Sequence, residues 1–79
     1  MHRNAFAEDV ATEIRVARAR SRLTQQDVML RMRGLGYAHW HRNTVAEVER
    51  GGRRVVVDEL PGLADALETT VHALLGLRP

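Results

Sequence analysis

Apolar residues recur at helical spacing along most of the chain. Phe6, Val10, Ile14 and Ala17 follow one another at four, four and three positions, which sets them on one face, while Glu13, Arg15 and Arg20 point elsewhere. The spacing predicts a first helix from about Ala5 to Ser21. Thr24 then stands where an N-cap belongs, with Asp27 in the place of a capping-box acid and Val28 and Met32 on the buried side behind it. A second helix is expected from there to about Arg33. Gly34-Leu35-Gly36-Tyr37 interrupts the pattern, because each glycine costs about 1 kcal/mol inside a helix and favours left-handed turns.

A third, short helix fits His41 to Arg50. Val45 and Val48 face inward, Arg42, Asn43, Ala46, Glu47 and Arg50 face outward, and Gly51-Gly52 provides a glycine stop. Arg53-Arg54-Val55-Val56-Val57 has the β-branched run of a strand, but a strand without a partner is not stable, so an extended connector is expected. Asp58 is placed to cap a fourth helix carrying Leu60, Leu63, Ala64 and Leu67. Pro61 fits only in its first turn, so that helix begins no earlier than about Val57. Thr70 is placed to cap a last short helix with Val71, Leu74 and Leu75, ending near Gly76. There is no internal repeat and no low-complexity linker.

The pattern therefore predicts an all-α chain of five helices. With 79 residues it supports one domain over 1–79 and no separate effector-sensing domain. An apolar fraction of 44% and a charged fraction of 28%, mixed in sign, are those of a chain that folds. No stretch approaches the roughly 18 apolar residues of a membrane span, and Met1-His2-Arg3-Asn4 lacks the apolar core of a signal peptide, so a cytoplasmic location and no membrane partner are expected. The chain has no cysteine, which excludes disulfides, thiolate zinc sites and a cysteine nucleophile.

Charge changes the picture more. All twelve basic residues are arginine, and ten of them fall between Arg15 and Arg54 among only three acids, a formal +7 against −5 for the two flanks together. A basic middle between acidic ends suits a polyanion, since arginine keeps its charge and offers phosphate a planar fork of donors. Composition alone equally allows a solvated, salt-bridged surface.

The runs Leu23-Thr24-Gln25-Gln26-Asp27-Val28, Thr44-Val45-Ala46-Glu47-Val48-Glu49-Arg50-Gly51 and Glu59-Leu60 with Leu63-Ala64-Asp65-Ala66-Leu67 resemble, in residues and order, the five-helix DNA-binding domain of phage repressors and Cro, the Xre family. The resemblance spans about Ile14 to Leu75. It implies a repressor-like helix-turn-helix fold, with the helix near His41 lying in the major groove of double-stranded DNA and the helix at Thr24 crossing the backbone. It further implies base contacts from Arg42, Asn43 and Glu47, which suit guanine, adenine and cytosine respectively. Phosphate contacts fall on Thr24, Gln25, Arg22, Arg50, Arg53 and Arg54. Arg18 and Glu49 match a structural ion pair that aims the recognition helix. A homodimer reading a two-fold site follows from the same likeness.

The chain departs from the family between Met32 and Thr44, where eleven residues lie, roughly six more than the usual compact turn. The enlarged 34–41 loop holds Trp40, placed to staple onto Val45, with stacking against a base as the alternative. Tyr37, Ala38 and His39 are candidates for the DNA backbone or a partner subunit. His39 and His41 with Glu47 match no standard zinc spacing, so neither metal nor cofactor is expected. No glycine-rich phosphate loop, nucleophile elbow or evident carboxylate pair speaks for an enzyme. Two functions follow: a transcriptional regulator, taken as a repressor, and an interaction module or antitoxin in which Leu74, Leu75 and Leu77 form an apolar edge.

Overall fold

A computed structural model of the chain describes residues 5–77, with side chains from Glu8 onward. The expected role of Phe6 and the charges of Arg3 and Arg78 lie outside the described side chains. Five α-helices follow in order, with no strand among the described residues: α1 (Ala5–Arg20), α2 (Gln25–Gly34), α3 (Arg42–Glu49), α4 (Leu60–Ala66) and α5 (Val71–Leu74), with a 3-10 turn at Val57–Glu59 leading into α4. α2 packs on α3 and α4, α1 packs on α3 and α5, and α4 packs on α5.

The apolar stripes meet as their spacing requires. Val10, Ile14 and Ala17 of α1 join Val28 and Met32 of α2, Val45 and Val48 of α3, Leu63 and Leu67 near α4, and Leu74 of α5 in one core. Leu74 is buried in it, Leu75 is half-buried and Leu77 is exposed, so the apolar edge expected from these three leucines does not form as a unit.

All five helices stop in the same way. The residue two beyond each helix, or beyond its last hydrogen-bonded turn, has left-handed backbone: Arg22 (φ 58°), Gly36 (105°), Gly51 (76°), Glu68 (57°) and Gly76 (74°). The following N–H then reaches back to the carbonyl five residues earlier, Leu23 to Arg18, Tyr37 to Met32, Gly52 to Glu47, Thr69 to Ala64 and Leu77 to His72, at 2.8 to 3.1 Å. This satisfies carbonyls that a helix end would otherwise leave open. Arg22 and Glu68 hold a conformation that glycine would adopt at lower cost.

The start of α2 carries the full capping box. Thr24 Oγ1 accepts from the Asp27 N–H at 3.0 Å, and Asp27 Oδ2 accepts from the Thr24 N–H at 2.8 Å. The bond from the Thr24 N–H, then that from its hydroxyl, lowers the Asp27 carboxyl below its ordinary value. The start of α4 differs from expectation. Asp58 is exposed and caps nothing; Glu59 Oε1 takes the Val56 N–H at 3.0 Å instead, and the 3-10 turn runs directly into α4 with Pro61 in its first turn. A carboxylate one residue later and one methylene longer reaches the donor from inside the fold.

Tyr37 closes the enlarged loop onto this corner, its Oη donating to the Asp58 carbonyl at 2.7 Å. The ring lies so close to α4 that a Cβ on Gly62 would meet Tyr37 Cε2 at 2.5 Å. This explains a glycine inside a helix. Gly62→Ala is expected to destabilise by about 1–2 kcal/mol in urea unfolding, against the ~1 kcal/mol that helix propensity alone would return. The same change made on a Tyr37→Ala background should cost less.

Candidate nucleic-acid interface

The outward face of α3 is set by its inward one. With Val45, Val48 and Glu49 buried, helical periodicity leaves Arg42, Asn43, Ala46, Glu47 and Arg50 on the other side. Arg42 and Asn43 are exposed, and their side chains make no hydrogen bond or ion pair with any described residue. Glu47 and Arg50 pair with each other one turn apart, so this acid orients a neighbouring arginine. His41 stands at the N-cap of α3, where the bond runs from its N–H to Thr44 Oγ1 at 3.1 Å.

The C-terminal end of α3 is gripped through Glu49, whose side chain is only 4% exposed. Arg18 donates from Nε to Oε2 at 2.5 Å and from Nη2 to Oε1 at 2.9 Å, while its Nη1 bonds the Leu23 carbonyl at 3.0 Å. The bond to Glu49 raises the guanidinium's already high pKa, against the opposing effect of burial. Arg15 Nη1 donates to the Glu49 backbone carbonyl at 2.9 Å. Gln25 Nε2 donates to Glu49 Oε1 at 3.2 Å, so the amide assigned from sequence to a phosphate is turned into the fold and ties the head of α2 to the tail of α3. Thr24, likewise assigned to phosphate, has its hydroxyl oxygen taken by the capping box.

The N-terminal end of α3 is held through Glu59, an acid to which sequence reasoning gave no role. Trp40, directly before the cap, is fully buried, and its Nε1 donates to Glu59 Oε2 at 2.8 Å. Arg53 meets the same carboxylate from Nη1 at 3.1 Å and Nη2 at 2.9 Å, and its guanidinium carbon lies 5.3 Å from the Trp40 ring centroid. His39 Nε2 stands 3.3 Å from Glu59 Oε2. Burial works against the charge on Glu59, but the bonds from Arg53, the Val56 N–H, Trp40 and His39 outweigh it and hold the carboxyl at about 2, below its ordinary 4.5. Trp40 is thus a core residue with a hydrogen-bonded indole, neither facing a base nor acting only as an apolar staple. Arg53, assigned to phosphate, is spent mainly on Glu59. The sequence signal for Glu59 was an acid one residue ahead of the apolar run Leu60, Leu63, Ala64, Leu67.

The arginines divide. Arg15, Arg18, Arg31, Arg50 and Arg53 bond within the fold, Arg31 bridging from α2 to the Ala66 carbonyl and Glu68. Arg20, Arg22, Arg33, Arg42 and Arg54 present side chains with no such partner among the described residues. Among the described residues no group of three or more His, Asp or Glu is placed to hold a metal ion, and no helix is long and apolar enough to cross a membrane. A recess of about 560 Å³ is lined by the apolar residues Val10, Val48, Val55 and Leu75, with Arg53 and Arg54 also on its wall. Comparison of the chain with protein-family models, curated proteins and solved structures finds no match.

Two outcomes follow. A double-mutant cycle with Arg18→Ala and Glu49→Ala should return a coupling of about 1–3 kcal/mol, below the 3–5 kcal/mol range for breaking a fully buried pair because Arg18 keeps some solvent; coupling near zero would remove the clamp. Acid should weaken the fold through Glu59. Its carboxyl sits lower in the folded chain than in the unfolded one, so its contribution is complete above about pH 4.5 and is lost as pH falls toward 2. The difference corresponds to at most ~3 kcal/mol, read from urea unfolding between pH 6 and pH 2.5.

Proposed function

We propose that this chain is a sequence-specific regulator of transcription that binds double-stranded DNA by a repressor-like helix-turn-helix, with α3 as the recognition helix. The observation that carries the reading is a short helix secured at both ends whose outward face begins with two unpartnered, exposed side chains, Arg42 and Asn43. Arginine can give two hydrogen bonds to guanine, and asparagine can exchange two with adenine. Arg22, before the head of α2, and Arg54, beyond the tail of α3, are exposed and without a partner among the described residues, a positive charge suited to phosphate. Thr24 and Gln25 contribute through the backbone N–H groups at the start of α2. The Glu47 and Arg50 pair lies within the reading face and sets the orientation of Arg50. On this reading the chain acts as a homodimer on a two-fold site and serves as a repressor, requiring no cofactor and performing no catalysis.

A protein-interaction module is the second reading, favoured by the apolar recess between α1, the connector and α5. The two differ in which residues matter. Selection from a random double-stranded DNA pool, followed by titration of the winning site at two salt concentrations, tests the first. A two-fold motif is expected, with Arg42→Ala and Asn43→Ala each costing about 1–3 kcal/mol and relaxing preference at one base position. Arg54→Ala should weaken binding to every sequence alike and make it less sensitive to salt. Binding without sequence preference, or none, would overturn the regulator reading in favour of the interaction module.

A further inference from the structure

Glu59 lies outside α3, yet it accepts the buried hydrogen bond by which Trp40 fixes the residues leading into α3 to the α4 corner, beside the Tyr37 bond to the Asp58 carbonyl. Five donor groups converge on it: the Trp40 indole, both terminal nitrogens of Arg53, the Val56 N–H and His39. Trp40 is separated from the first residue of α3 by His41 alone. The other end of α3 is held independently, by Arg18, Arg15 and Gln25 on Glu49.

The geometry of a lever decides what the second attachment does. From Glu49 to Arg42 the helix is about 10 Å long, at ~1.5 Å per residue. Val45 and Val48 pack α3 into the core, but with a polar attachment at Glu49 alone a swing of roughly 10° would carry Arg42 by nearly 2 Å, whereas a functional constellation tolerates about 0.5 Å. The long loop from Leu35 to His41 cannot supply the missing restraint through a tight turn, because it is not one. Tyr37 and Trp40 supply it by side-chain contact with the α4 corner, at Asp58 and Glu59.

We propose that Glu59 is a positioning residue for DNA recognition: through Trp40 it fixes the N-terminal end of α3, and so the placement of Arg42 and Asn43, without touching DNA itself. The proposal rests on the regulator reading for its functional consequence and on the fold alone for its mechanical one. It separates specificity from charge. Glu59→Gln releases Arg53 from its pair and adds net positive charge, so affinity for arbitrary DNA should hold or rise, while the preference for one site should fall.

The test uses the full chain and two variants. Glu59→Gln keeps the shape of the side chain but sets an amide N–H₂ among donors; Trp40→Phe keeps an aromatic ring in the core and deletes the indole N–H. On the site selected with wild-type protein, each variant is expected to lose preference over scrambled DNA by about tenfold or more, while scrambled-DNA affinity stays within about threefold. Equal loss on both DNAs, or no loss, overturns the positioning role in recognition. Amide hydrogen exchange reads the mechanical part without DNA. The Val45 N–H, bonded to the His41 carbonyl at 3.3 Å, should exchange at least about tenfold faster in both variants, with Leu67 and Leu74 N–H changing far less. Uniform change across all helices, or none, overturns the anchor. A wild-type chain with no preferred site would end the regulator reading, and the exchange result would still decide whether Glu59 holds α3.

Discussion

A carboxylate can leave water only where donors replace the water it gives up, and two glutamates in this small fold do so. Glu49 and Glu59 are nearly sealed from solvent, and no buried side-chain nitrogen or oxygen among the described residues lacks a partner. An isolated buried charge costs several kcal/mol, so every element that supplies a donor is held to its place. Arg18 and Arg15 bring α1, Gln25 brings α2, Trp40 brings the loop, and Arg53 brings the connector. The orientation of α3, which ends at Glu49 and is reached through Trp40 from Glu59, must satisfy both acids as well as the packing of Val45 and Val48. Apolar packing makes the chain compact; these polar sites choose one arrangement among the compact ones.

Local features were legible in the sequence because their causes are local. The four, four and three spacing of Phe6 to Ala17 gives α1, Thr24 and Asp27 give the head of α2, and Gly51 gives the end of α3. The pairing of Arg18 with Glu49 was approached through a resemblance, and no periodicity would have shown it. What escaped sequence reasoning joins distant segments. Whether Asp58 or Glu59 turns inward depends on where Trp40 and Arg53 arrive, 19 and six residues away. Gly62 reads as a defect in α4 until the Tyr37 ring is found against it. Arg22, Arg42 and Arg54 stay free while Arg31 and Arg53 do not, and the distinction lies in which carboxylate or helix end each can reach.

The basic middle of the chain therefore divides into arginines that bond within the fold and arginines that do not. Arg15 and Arg31 complete carbonyls at the ends of α3 and α4, and Arg18 and Arg53 neutralise the buried acids. Composition left open a solvated, salt-bridged surface and a surface for a polyanion; internal bonds account for part of the segment, and the unpartnered arginines are the part on which the proposed DNA interface draws. An excess of arginine is a poor guide to ligand until the internal partners have been subtracted. Here the remainder gathers partly at the head and beyond the tail of α3, where Arg42 and Arg54 stand.

The uniform helix stops carry a consequence for how the fold assembles. Each is encoded within a few neighbouring residues, so where a helix ends is set locally, although helices this short persist only once packed. The buried acids depend on distant partners instead. Arg18 and Glu49 are 31 residues apart along the chain, and Trp40 and Glu59 are 19 apart. Neither glutamate can be desolvated before its loop has closed, which ties the fixing of α3 to long-range closure of the chain. The chain's lifetime in its working shape is then tied to how seldom those two carboxylates find water.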